Sequence, residues 1–107
     1  MRFEIVLAPE AAGALRALTA RHRVEVKAAL KTHLRHEPTK VSKSRIKRLR
    51  GMARPQYRLR VGETRVFYDV RDEIVEVIAI VAKKQVQKWL AVEGTPDPQG
   101  GPRESEG

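Results

Sequence analysis

The chain has 107 residues, 41% hydrophobic and 33% charged, a length at which a single domain is expected and a composition that fits a globular unit better than a disordered or bilayer-embedded chain. It contains no cysteine, so disulfides, thiolate ligands and thiol nucleophiles are excluded. Twenty-two lysines and arginines against 13 acidic residues leave a net charge of +9, a surplus that points to a polyanionic partner.

In "RFEIVLA", Phe3, Ile5 and Leu7 alternate with polar or small residues and predict a first strand. This N-terminal stretch lacks the long apolar core of an export signal, and no apolar run reaches spanning length, so a cytoplasmic chain with no membrane partner is expected. Pro9 and Glu10 then open a helix in "PEAAGALRAL", with Leu15 and Leu18 toward the core. From about His22 to Glu37, Val26, Leu30 and Leu34 recur every four residues and predict a second amphipathic helix, which Pro38 ends. His33 and His36 sit three apart on it, but without cysteine or an obvious third ligand no metal site is expected. The segment "SRIKRLRG" fits either a short strand or an ordered loop. "YRLRV" and "TRVFYDV" both alternate around Gly62 and Glu63 and predict a β-hairpin. "IVEVIAIVA" is nearly continuous in apolar residues, as in a strand buried on both faces. Lys83 to Val92 predicts a last short helix, giving one domain over residues 1–92, and the Gly- and Pro-rich residues 93–107 predict a disordered tail. There is no internal repeat.

The charge is unevenly spread. From Pro38 to Gly62 the cations are Lys40, Lys43, Arg45, Lys47, Arg48, Arg50, Arg54, Arg58 and Arg60, with no acidic residue among them. If Gly62 and Glu63 form the hairpin turn, Val61 faces Thr64, Arg60 faces Arg65, Leu59 faces Val66 and Arg58 faces Phe67. Leu59, Val61, Val66, Tyr68 and Val70 then share an apolar face, and Arg58, Arg60 and Arg65 share the other. Arg60 and Arg65 repel as direct neighbours, and an anion lying over them reverses that sign. The alternative is that these arginines coat a solvated face or pair with Asp69 and Glu76 further along it.

Residues 48–85, "RLRGMARPQYRLRVGETRVFYDVRDEIVEVIAIVAKKQ", resemble the central and C-terminal part of RelE/ParE-type toxins, where a Leu-Arg-Gly element precedes a Tyr-Arg-Leu-Arg-Val-Gly strand and an Arg-Val-x-Tyr strand. The order of strand, two helices and antiparallel strands agrees over about residues 1–90. The resemblance implies an α+β fold of the microbial-ribonuclease type, with the N-terminal strand and two helices packed on an antiparallel sheet and a short C-terminal helix. In the RelE branch it further implies the toxin of a type II toxin–antitoxin system, an endoribonuclease that cleaves mRNA in the ribosomal A site and inhibits translation without metal or cofactor. The matching catalytic positions are Arg58, Arg60, Arg65 and Lys84: Arg65 on the scissile phosphate, Arg58 and Arg60 on the backbone, and Lys84 stabilising charge or delivering a proton.

The chain also departs from that pattern. Several members carry lysine at the positions of Arg58 and Arg60, and a guanidinium holds its proton too tightly to act as a general base, so the base is unassigned. Where members carry a C-terminal aromatic that stacks on a base, the nearest residue here is Trp89, which can equally dock the last helix. The basic residues Lys43, Arg45, Lys47, Arg48, Arg50 and Arg54 suit ribosomal RNA phosphates. The implied partners are ribosome, mRNA and a cognate antitoxin whose acidic segment covers the arginine face or displaces the last helix. A ParE-like gyrase poison and a non-catalytic RNA- or protein-binding domain on the same scaffold are the alternatives.

Overall fold

The computed structural model describes residues 1–98. β1 (Glu4–Leu7) turns Ile5 and Leu7 toward the core. α1 (Pro9–Ala17) opens on a proline whose missing N–H and fixed φ suit a first turn. α2 (Ala20–Leu34) begins earlier than its apolar spacing suggests, because the Thr19 hydroxyl caps it by accepting from the His22 N–H at 3.2 Å. Arg23 folds back to donate to the carbonyls of Leu15, Arg16 and Leu18 at 3.3, 3.1 and 2.8 Å, which satisfies groups left open at the end of α1. α2 stops at Leu34, short of Glu37. Beyond it Pro38 is buried, and its carbonyl accepts the Tyr68 hydroxyl at 2.6 Å.

The remaining strands are β2 (Ile46–Arg48), β3 (Met52–Arg54), β4 (Tyr57–Val61), β5 (Thr64–Arg71), β6 (Ile74–Ala82) and β7 (Thr95–Pro96). A 3-10 turn (Lys83–Gln85) joins β6 to α3 (Val86–Glu93). The main sheet has the order β1-β6-β5-β4-β2. Its central hairpin keeps the expected register, Arg60 opposite Arg65 and Arg58 opposite Phe67, about a turn whose first central residue, Gly62, sits at φ 59°. α1 packs over β6 and α2 over β4, so Val26, Leu30 and Leu34 close on Leu59, Val66 and Tyr68.

Strand direction differs from expectation. The sheet is mixed rather than antiparallel throughout, because β1 pairs in parallel with β6, from Glu4 opposite Ile74 to Leu7 opposite Val77. β1 connects onward through α1 and α2, so no tight turn imposes the antiparallel sense. β6 also carries a bulge: Ala79 pairs with Phe67 and Val77 with Tyr68, which leaves Ile78 as an extra residue and lets Val77 through Ile80 all be buried.

The tail expected from residue 93 differs in part. Glu93 ends α3, and β7 pairs antiparallel with β3, Met52 opposite Pro96 and Arg54 opposite Thr95. Residues 99–107 of that tail lie outside the described residues. Among the described residues no helix is long and apolar enough to cross a membrane.

Candidate nucleic-acid interface

Strand alternation decides which side chains share the face away from α1 and α2. In β4, Leu59 and Val61 point inward, so Arg58 and Arg60 point out; in β5, Val66 and Tyr68 point inward, so Arg65 and Phe67 lie on the outer face. β2 adds Lys47, the cross-strand partner of Arg58, while Ile46 is buried. Lys47, Arg58, Arg60 and Arg65 therefore form one contiguous basic group.

Their partners differ. Arg65 is only 9% exposed, and its Nη1 donates to the carbonyls of Gly62 and Thr64 at 2.8 and 3.0 Å, so part of its fork closes the hairpin turn. Arg58 is half-buried, and its side chain has no hydrogen bond or ion pair among the described residues. Burial first, then the charges of Arg65 and Arg60, push its pKa below the ordinary arginine value. Arg60 is exposed, and its side chain likewise has no partner among the described residues.

The nearby acids are engaged elsewhere. Asp69 and Glu76 are cross-strand partners, and Arg54 bridges them, its Nη1 3.0 Å from Asp69 Oδ2 and 3.2 Å from Glu76 Oε1. The hydrogen bond to Glu76 is the largest of the effects that raise the Arg54 pKa. Asp69 Oδ1 also accepts the Gln56 N–H at 2.7 Å, and Gln56 Oε1 accepts the Val70 N–H at 2.9 Å. The outer face is thus bipolar: its acidic end is closed by Arg54, and its basic end has no counterion within the described chain. Guanidinium forks left in that state match the oxygens of a phosphate.

Neither a family model nor a curated protein matches the sequence. Solved structures do. A chain of the archaeal RelE–RelB complex from Pyrococcus horikoshii OT3 is similar over 78% of this chain and 97% of its own, with a TM-score of 0.58 at 24% identity. The RelB–RelE antitoxin–toxin complex from Methanococcus jannaschii gives 0.60 at 16% identity, covering 78% and 96%. The toxin–antitoxin complex RelBE2 from Mycobacterium tuberculosis gives 0.60 at 20% identity, covering 77% and 99%. This is the RelE fold.

Within the RelE fold the other expected site residues scatter. Lys84 is exposed in the 3-10 turn, where the Lys83 N–H donates to the Glu63 carbonyl at 2.8 Å; it therefore lies at the hairpin-turn end of the sheet, with Arg60 and Arg65. Lys43 and Arg50 are exposed in the connections before and after β2. Arg45 donates from Nη1 to the Arg60 carbonyl at 3.2 Å and opens onto a cavity beside α2.

Two basic residues leave the interface. Arg54 is spent on its carboxylates. Arg48, one residue past Lys47, falls on the opposite face: its guanidinium carbon lies 5.3 Å from the centroid of Tyr57, which stacks on Tyr68 at 5.4 Å, and its Nη1 donates to the Leu49 and Gln56 carbonyls at 3.1 and 2.8 Å. Trp89 stacks on Phe67 with centroids 4.9 Å apart and planes 9° from parallel, and its Nε1 donates to Glu10 at 3.2 Å. That is the helix-docking arrangement, with one indole face covered. Phe67, which the hairpin register sets opposite Arg58, is fully buried on the outer face, and Trp89 of α3 covers it. Among the described residues no three His, Asp or Glu side chains gather as a metal site.

Proposed function

We propose that residues 1–92 form the toxin domain of a type II toxin–antitoxin pair, a ribosome-dependent endoribonuclease that cleaves mRNA in the A site. The observation that carries this reading is the unneutralised cluster of Arg58, Arg60 and Arg65 on the outer face, with Asp69 and Glu76 held away by Arg54. The similarity to chains of RelE–RelB complexes supports the fold on which such a site would stand.

In-line attack by a ribose 2′-hydroxyl builds negative charge on the phosphorane oxygens, which preorganised guanidiniums stabilise without reorganisation. Arg65, immobilised by the turn carbonyls, is the fixed clamp on the scissile phosphate. Arg58 and Arg60 neutralise and orient the backbone, and the ammonium of Lys84 supplies a proton to the departing 5′-oxygen. A guanidinium holds its proton too tightly to act as a base and Lys84 serves as the acid, so activation of the 2′-hydroxyl falls to a group outside the four. Lys47 extends the basic track, with Lys43 and Arg50 as peripheral ribosomal RNA contacts. The partner that restrains the activity is an antitoxin with an acidic segment complementary to this face.

The missing base also favours a second reading, an RNA-binding domain that leaves RNA uncut. Primer extension on a defined mRNA, with and without bacterial ribosomes, separates the two. Arg65→Ala alone is a poor probe, because its guanidinium also closes the turn; Arg58→Ala and Arg60→Ala, checked for an unchanged melting curve, are better. Cleavage confined to the A-site codon and lost in these variants supports the nuclease. Intact mRNA at every protein concentration refutes it, and salt-dependent RNA binding would then select the second reading.

A further inference from the structure

Around the β2 edge from the arginine face, a cavity of about 270 Å³ opens between that strand and the end of α2. Its walls include His33, His36, Lys40 and Arg45, and its carboxylate, Glu37, lies 3.7 Å from Lys40. Ser42 is oriented by its own turn: its Oγ accepts the N–H groups of Arg45 and Ile46 at 3.0 and 3.1 Å, which leaves the hydroxyl proton to donate. Arg45 commits Nη1 to the Arg60 carbonyl and keeps the rest of its fork. His33 is half-buried, and burial, then the charge of Arg45, lower its pKa. His36 Nδ1 lies 3.2 Å from the Met1 carbonyl, and since the carbonyl can only accept, Nδ1 is the donor.

We propose that this cavity is a second phosphate site, separate from the outer-face arginines, in which Arg45 and Ser42 donate to the phosphate oxygens and protonated His33 completes the set. An anion seated between Arg45 and His33 reverses the field at the imidazole, so binding takes up a proton and tightens as the pH falls from 8 to about 6. The other ionisable groups lining the cavity are His36, Glu37 and Lys40, from the segment that follows α2; Glu37 is the competing carboxylate, and Lys40 engages it. The site stands whether or not the outer face cuts RNA. Its ligand is a phosphate group, either of an RNA backbone or free in solution.

Imidazole NMR titration of the full chain tests it, with inorganic phosphate and with a short single-stranded RNA as separate probes, in wild type, Arg45→Ala and Arg58→Ala. Phosphate is expected to raise the His33 pKa equally in wild type and Arg58→Ala, and to bind at least about tenfold more weakly to Arg45→Ala. Arg45 is exposed, so its removal should leave the amide spectrum of the fold intact. If the oligonucleotide moves His33 as well, the natural ligand is an RNA phosphate; if only inorganic phosphate does, it is a free phosphate or monoester. No movement of His33 with either probe overturns the proposal, as does a response kept in Arg45→Ala but lost in Arg58→Ala.

Discussion

Replacing Arg58 with alanine separates the charge of the interface from its architecture. The guanidinium is half-buried, opposite Lys47 on one side and Phe67 on the other, with Arg60 and Arg65 close enough to lower its pKa. Like charges set against one another across a sheet cost about 0.2–1 kcal/mol. Water screens part of that, because much of the side chain remains exposed, so relief of roughly 0.5 kcal/mol is expected. The aliphatic stem that covers the sheet is lost at the same time and offsets some of the gain. Arg58→Ala should therefore leave the melting temperature unchanged or raise it by about 2–4 °C. Loss of one charge clamp on the phosphorane should meanwhile cost roughly 10²–10³ in cleavage rate. Thermal denaturation and ribosome-dependent primer extension on the same preparation read both effects. A variant destabilised by more than about 1 kcal/mol would show that Arg58 is a structural residue after all, and one that still cleaves at the wild-type rate would remove it from the chemistry.

Arg54→Met should do the opposite, because it leaves Asp69 and Glu76 facing each other without a counterion. Losing one partner of a buried pair costs about 3–5 kcal/mol, and since Arg54 and Glu76 are partly in water a loss near ~2 kcal/mol is expected in urea denaturation. Adding Glu76→Gln should recover much of it; no recovery would rule out carboxylate repulsion as the cause. Tyr68→Phe removes the donor to the Pro38 carbonyl and should cost about 1–2 kcal/mol. Burial, then Tyr57, raises the Tyr68 pKa, so ultraviolet titration should show this phenol still protonated where an ordinary tyrosine ionises. His33 governs mild acid: its folded pKa lies below the unfolded 6.5, so its contribution to stability is complete above 6.5 and is lost as the pH falls through the folded value. In phosphate-free buffer the denaturation midpoint should drop across that window, and His33→Gln should flatten the drop; an unchanged profile in the variant would exclude His33 as its source.

What could be read from the chain, and what could not, follows from the range of each interaction. The β4–β5 hairpin was legible because its register depends on residues within a few positions of Gly62 and on an alternation that places Leu59 and Val66 together. The bulge at Ile78 was not, because "IVEVIAIVA" is apolar at almost every position and a one-residue slip leaves its pattern unchanged. The parallel pairing of β1 depends on a partner some 70 residues away, which no local signal encodes. β3 and β7 are too short for any periodicity to appear.

The same distinction sorts the basic run. Read along the chain, Arg48, Arg54, Arg58 and Arg60 are alike, four of the five cations within 13 positions, with no acid between them. Their differences lie wholly in what the fold brings to each. Arg48 is turned by one step of strand parity onto Tyr57, and Arg54 meets carboxylates 15 and 22 residues further on. Among the described residues, the charged neighbours of Arg58 and Arg60 on that face are Lys47, Arg65 and each other. A surface needing only solubility would let Asp69 and Glu76, on the same face, screen these arginines. Here the acids are engaged by Arg54, brought in from β3, so the cluster keeps its charge. That arrangement is intelligible when an outside anion completes it, and a stable Arg58→Ala variant without activity would be its signature.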